Sequence, residues 1–548
     1  MTGKKTERMK VWFLLFMGNF LSHGYLILLT GTFWDDWLYY YHDTDRVWEH
    51  FIQSGRPSLA YIPAAFWNLP GYGYRWVIFG CCFITSIFVY LILRNIPFFE
   101  KNLKNTGCLA VSLFYTVMPV NDARVCMVDM PFTISLLMFF AGWYVFIRYR
   151  SQTANVRNFR LRIAAEVLFF CSFITNSMLV FYFLPLFFIF YEEICAKRNL
   201  KKAAVKMLKQ ADFFMLPFIF YAGKQFFFPA YGIYEGYNAV TLSGMVHAVK
   251  LLTKAVCLAV KNVYIEFFYP FISLAKIAAL ILLTIWITGC LVLRKTGKKT
   301  DCSFFHRGGV FYNIAAMGIG ILMTAFGLFP YIVVSQSEYI SITGVYGRYS
   351  LLLPIGMALF FFSGIRIVCK YNWTRFVVCA VFLVLGSIAC NCHYLNYQID
   401  AYYQEALINK LSDNEYLKEK KNLLLLSSSL PVTGSTRFYT LNGDASVAYG
   451  SQTRLIMNGY GDLQMLEKDL NYLAQSDYLM NDYDASYKKL DGIIVFDFDI
   501  QYHECLKLRW MEYADKSAFQ KYIDSKAEFS YYPADSRKAA LLIESGYE

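Results

Sequence analysis

The sequence predicts an α-helical polytopic membrane protein of about 11 transmembrane helices, followed by a small extracytoplasmic α+β domain. Three observations carry that reading. Of 548 residues, 57% are hydrophobic and only 17% charged, against about 25% charged in soluble chains. Apolar runs, most of them long enough to cross a hydrocarbon core, recur through residues 1–395. The net charge of +12 divides into +19 over residues 1–395 and −7 over residues 396–548. The positive charge thus lies in short loops between apolar runs, as the positive-inside bias requires. A nucleic-acid partner would need a basic face on a soluble domain, and no segment supplies one. The composition equally excludes a disordered tail protein, a collagen-like fibre and a soluble enzyme.

The chain begins with a short basic stretch, residues 1–10, and an apolar run over 11–30. No small-residue cleavage site follows, so this run is predicted to stay as the first span, with a cytoplasmic N-terminus. Further spans are predicted at 75–93, 106–121, 132–148, 163–176, 178–191, 211–228, 267–293, 309–330, 349–369 and 374–395. The run 163–191 is read as a hairpin broken at Asn176 and Ser177. That count puts five basic clusters on one side: those around Arg94, Arg148, Lys197, Arg294 and Lys370. A single span over 163–191 would send the later clusters to the other side.

Four outer segments remain, at about 31–74, 121–131, 229–266 and 331–347. In the third, residues 243–260 alternate with helical period between Ala248, Leu252, Val256 and Val260 and a face with Lys250 and Lys254. This predicts a helix lying in the interface. After Asn396 the chain turns polar and is long enough for one compact domain. Strands are predicted at 423–426, 437–440, 455–457 and 492–496, and helices at 463–474 and 518–523. The domains are therefore 1–395 and 396–548.

The 14 cysteines lie mostly within apolar runs, and the polar region holds one, Cys505. No disulfide framework and no CxxC zinc pair follows from them. The one glycosylation sequon, Asn372-Trp373-Thr374, falls in a predicted cytoplasmic turn. Both features point to a bacterial plasma membrane.

Chemistry is expected where charge breaks these patterns. Asp35 and Asp36 stand side by side in Phe33-Trp34-Asp35-Asp36-Trp37, just outside the first span. Such a pair can deprotonate a hydroxyl or hold a divalent cation, or simply supply polarity to a loop. Asp129 lies among apolar neighbours before the fourth span, with Asp122 and Arg124 upstream. It fits either a site acid or a residue at the positive end of a helix dipole. Arg348, followed by Tyr349, opens a late span on the outer side, against the charge bias. It suits bidentate phosphate binding or anchoring at the interface. Trp34 and Trp37 are candidates for stacking on sugar rings, or for an interfacial aromatic belt.

Taken together these residues resemble the GT-C superfamily of membrane glycosyltransferases. Asp35-Asp36 corresponds to the acidic pair of its first outer loop and Asp129 to the acid of its second. Arg348-Tyr349, running into Leu351-Leu352-Leu353-Pro354, corresponds to a motif of the bacterial branch. The resemblance covers residues 1–395, and the polar region matches no named family. The acids here are adjacent rather than spaced as Asp-x-Asp, which leaves metal use open, with a divalent cation as one option.

The resemblance implies a polyprenyl-phosphate-linked sugar donor and an extracytoplasmic glycan, lipid or protein acceptor, with transfer by inversion. Asp35 or Asp36 would be the base. Asp129 and Asp122 would support the acceptor or a metal, and Arg348 with Tyr349 would hold the lipid phosphate. Two alternatives are a polysaccharide polymerase or ligase and a transporter or flippase of lipid-linked sugars. The first is expected to rely on outer arginines and histidines. The second calls for charges deep in the helices and for related halves, and neither is visible.

Overall fold

The computed structural model describes residues 2–37, 44–67, 69, 72–120, 122–151, 156–188, 205, 208, 210–236, 239–268, 309–334, 341–427, 438–450, 454–459 and 489–544. The protein is mostly helical. The helical region contains α1 (Thr2–Leu28), α2 (Tyr74–Asn95), α3 (Pro97–Thr116), α4 (Met130–Arg150), α5 (Val156–Ser172), α6 (Ala211–Phe227), α7 (Leu242–Phe268), α8 (Val310–Val333), α9 (Leu353–Val368) and α10 (Asn372–Ser412). Among the described residues six of these, α1, α2, α4, α7, α8 and α10, are long and apolar enough to cross a membrane. Two shorter apolar helices, Ser177–Phe188 and α9, accompany them. The structure thus supports a multi-pass protein with six such helices among the described residues, and the expected count of eleven is not confirmed. The break expected near Asn176 is present, since α5 ends at Ser172 and the next helix starts at Ser177. The span expected at 267–293 lies almost wholly outside the described residues.

The helix expected in the interface meets protein along one face. The segment 243–260 is part of α7, a helix of 27 residues that packs against α8 and α10. Its small and apolar residues Ala248, Ala255, Val256, Ala259 and Val263 are buried. Helical period alone could not say whether that face meets lipid or protein. Elsewhere small residues set the helix spacing. Gly320 of α8 and Gly356 of α9 lie so close that a Cβ on either would meet the other's carbonyl oxygen at 2.6 Å. Such contacts let helices gain dispersion energy where lipid offers no hydrophobic drive.

The polar region is built on α10, which runs unbroken for 41 residues, past the point where the sequence turns polar. Its distal half meets a four-stranded sheet of β1 (Asn422–Leu426), β2 (Leu455–Asn458), β3 (Gly492–Phe498) and β4 (Ala527–Pro533). The order is β2-β1-β3-β4, with β1 parallel to both neighbours and β4 antiparallel to β3. β1 is buried along its whole length, as its unbroken leucine run requires for a strand covered on both faces. Leu423 and Leu425 join a core with Tyr403, Ala406 and Leu411 of α10. Leu424 and Leu426 face the other way. Among the described residues four helices accompany the sheet: α11 (Phe438–Tyr449), α12 (Tyr502–Ala514), α13 (Lys516–Ser525) and α14 (Arg537–Glu544).

Of the strand expected at 437–440, the described residues 438–440 instead begin α11, which buries Leu441 and Ala445, four residues apart as on one helix face. The expected helix at 463–474 lies outside the described residues.

Candidate active site

Four segments meet at one end of the helices: the single turn Trp34–Asp36 after α1, the start of α2, the loop 122–129 before α4, and the turn Val345–Ser350 before α9. Arg75, the second residue of α2, binds two of them together. It is buried and donates to the carbonyls of Leu29, Gly31 (2.8 Å) and Val125 (3.3 Å). The adjacent Tyr74 hydroxyl donates to the Val125 carbonyl at 3.0 Å. Buried guanidinium needs acceptors for its five donors, and the carbonyls left over at the end of α1 supply them.

Asp36 closes the same junction from the other side. Its two carboxylate oxygens accept the backbone N–H groups of Met127 and Val128, each at 2.8 Å. Burial pushes its pKa up to about 7, against the pull of those two amides and of Arg75, while Asp35 adds to the rise. Between the clamps, Trp34 sits at φ 50, a region costly for a bulky side chain by about 1–3 kcal/mol. It is held there by packing on Tyr397, ring centroids 5.7 Å apart.

Asp35 points elsewhere. Its side chain, 16% exposed, faces Arg348, with Oδ2 3.7 Å from Nη1. The Arg348 guanidinium lies 5.2 Å over the Tyr349 ring and donates to the Tyr349 hydroxyl at 3.4 Å. Tyr349 packs in turn on Tyr331. Asp129 is buried at the N-terminus of α4, yet its carboxylate makes no bond to the helix amides. Burial pushes its pKa up to about 7, with Arg348 pulling it down and Asp35 and Asp36 pushing it further up. Asp35, Asp129 and Arg348, far apart in sequence, thus share one electrostatic centre.

Asp122 stands behind that centre. It accepts the N–H of Gly344 at 2.8 Å, at the positive φ of 70° where the Arg348 turn begins. His393 Nδ1 lies 3.4 Å from Asp122, and its Nε2 lies 2.9 Å from Glu266 of α7. This chain of contacts fixes the turn that carries Arg348.

The two tryptophans are placed differently from a sugar platform. Trp34 and Trp37 are 2% and 3% exposed. Trp34 packs into the core with Phe33 and Tyr397. Trp37 enters the far face of the sheet with Leu424, Leu426, Leu455, Met457 and Ile493. Its ring also lies against Gly443 of α11, where a Cβ would clash. Neither ring leaves a face for a sugar.

A divalent cation fits this donor set poorly. Asp36 spends both oxygens on amides, and Asp35 already faces a guanidinium. Among the described residues no three His, Cys, Asp or Glu are grouped to hold a metal ion. Arg75, His393 and Glu266 are not singled out by the sequence reading. Arg75 did carry a usable signal, because it is a cation at the outer end of a predicted span, the anomaly that marked Arg348.

The pKa of Asp129 has a measurable consequence. In the unfolded chain its carboxyl ionises near the ordinary value of 3.8, and in the folded protein near about 7. The stability linked to its proton is therefore full below about pH 4, falls as pH rises toward 7, and is flat above that. Asn cannot ionise. Asp129→Asn is expected to raise the melting temperature at pH 8, by at most roughly 4 kcal/mol in stability, and to leave it unchanged near pH 4. Differential scanning fluorimetry at both pH values checks this, and a loss of stability at pH 8 would contradict it.

No protein-family description matches the chain, and no curated protein matches it. One solved structure with a similar course is that of the Archaeoglobus fulgidus oligosaccharyltransferase in complex with Zn and sulfate. The TM-score is 0.40 and the identity 13%, over 95% of this chain and 73% of that one. A likeness of that size leaves function to be argued from the site itself.

Proposed function

We propose that this protein is a membrane glycosyltransferase of GT-C type. It moves a sugar from a polyprenyl-phosphate donor to a hydroxyl of an extracytoplasmic glycan, lipid or protein, in the plasma membrane of a bacterium. The observation that carries the reading is the grouping of Asp35, Asp129 and Arg348 from three separate loops at one end of the apolar helices.

On this reading Asp35 is the general base. It takes the proton of the acceptor hydroxyl as that oxygen attacks the anomeric carbon. The bond from that carbon to the lipid phosphate breaks, and the phosphate leaves with the electron pair. Arg348 takes the developing charge in bidentate fashion. Attack opposite the leaving group inverts the anomeric centre. Donor binding also opens a path to the base, because the incoming phosphate draws Arg348 away from Asp35. Asp129, as carboxylate, accepts a hydrogen bond from the acceptor, so turnover rises with pH through about 7. Asp36, Asp122 and Arg75 position the loops. Tyr349 holds the Arg348 plane.

The test supplies purified protein with native membranes as acceptor source and a panel of radiolabelled polyprenyl-phosphate sugars. Label should leave the lipid donor, releasing polyprenyl phosphate, and the new linkage should show inverted anomeric configuration by NMR. A folded protein that consumes no donor in the panel, or that retains configuration, would count against the proposal.

A further inference from the structure

A second site lies at the far end of the same helices. A cavity of about 740 Å³ is lined by Arg8, Arg94 and Arg148, with Trp12 and Tyr144 among its walls and Glu100 as its sole acid. Arg8 belongs to the first turns of α1, and Arg94 and Arg148 to the last turns of α2 and α4. The acidic centre occupies the opposite ends: Asp35 follows α1, Arg75 opens α2 and Asp129 precedes α4. With 22 and 21 residues in α2 and α4, the two ends are about 32 Å apart at 1.5 Å per residue. That is about one hydrocarbon thickness.

Orientation in the membrane explains why arginines sit at this end, but it asks for no particular geometry. Here cations from three helices converge on one half-open cleft whose size suits a ligand. Three guanidinium groups against one carboxylate leave it positive. Guanidinium matches phosphate oxygens bidentately, and Trp and Tyr settle at the headgroup level of a bilayer. We propose that this cavity binds the phosphate of an anionic phospholipid headgroup, in the leaflet opposite the acidic centre. Basic pockets between membrane helices hold such headgroups in general. The bound lipid ties the ends of α1, α2 and α4 together.

The test uses full-length protein in a neutral detergent, titrated with phosphatidylglycerol, with phosphatidylcholine, or with inorganic phosphate. Bound ligand is counted by native mass spectrometry, and the melting temperature is followed in parallel. Phosphatidylglycerol is expected to bind and stabilise, phosphatidylcholine to bind far more weakly, and added salt to weaken the difference. Arg94→Gln and Arg148→Gln should each weaken phosphatidylglycerol binding by about fivefold. Arg148 is exposed, so its variant keeps the question answerable if Arg94→Gln does not fold. Inorganic phosphate binding as tightly as phosphatidylglycerol would overturn the lipid assignment in favour of a soluble phosphate compound. Equal binding of the two lipids, or undiminished binding in a folded variant, would overturn the site. None of these readings depends on sugar transfer.

Discussion

Asp35→Asn should lower sugar transfer by about two to four orders of magnitude while leaving yield, detergent behaviour and melting temperature near wild type. Asp35 meets the Arg348 turn through a charge contact at 3.7 Å and keeps some exposure. Asparagine has the same shape, so the substitution removes the basicity with little change in packing. Asp36→Asn should behave otherwise. An amide offers one oxygen where the carboxylate offers two, and turns an N–H group toward the amide of Met127 or Val128. One buried donor then loses its acceptor, at about 1–3 kcal/mol. The expected result is a lower melting temperature and less folded protein, with activity reduced in proportion. Measuring turnover per folded molecule separates the two. A near-normal Asp35→Asn beside a folded but inactive Asp36→Asn would reverse the assignment.

The second large effect belongs to Arg348. Arg348→Lys keeps the charge but loses the planar fork, and Arg348→Ala loses both. A charge-assisted contact to phosphate contributes on the order of 1.5–3 kcal/mol, so the donor requirement of Arg348→Ala should rise roughly ten- to a hundredfold. Arg348→Lys should fall between. An interfacial anchor would make the lysine variant silent. The pH profile offers an independent reading. Arg348 pulls the pKa of Asp129 down from where burial would place it. Removing that charge lets it rise, so the acid limb of the activity profile should move to higher pH in Arg348→Ala. Titrating donor at several pH values checks both effects. Unchanged donor dependence and an unmoved acid limb in both variants would take Arg348 out of the site.

Asp35, Asp129 and Arg348 could be picked out from sequence because each breaks a strong local pattern: a charge beside an apolar run, or a cation on the side where cations are rare. What separates Asp35 from Asp36 is not local. It lies in two amides some 90 residues away, and no spacing rule reports them. The surroundings of Trp34 and Trp37 are hidden from sequence for the same reason. An aromatic residue beside acids looks alike whether its ring meets a sugar, a lipid headgroup or a sheet, and only the partner decides. The helical course was legible from hydropathy, whereas the placement of α7 depended on which neighbours cover its small residues. In the polar region β1 could be read from its unbroken leucines, but α11 could not. Its period emerges only beyond the four residues that suggested a strand.

Trp37 also bears on how such a chain can change. It lies one residue beyond the acidic pair, yet its ring completes the packing of a sheet whose first strand begins at Asn422. Gly443 of α11 is bare where that ring arrives. The membrane part and the polar part are therefore not interchangeable modules. A different polar domain grafted onto these helices would have to bring its own socket for the indole. Without one, the loop holding Asp35 loses its far anchor. Divergence in one part is thereby tied to matching change in the other, at the point where catalysis is proposed to occur.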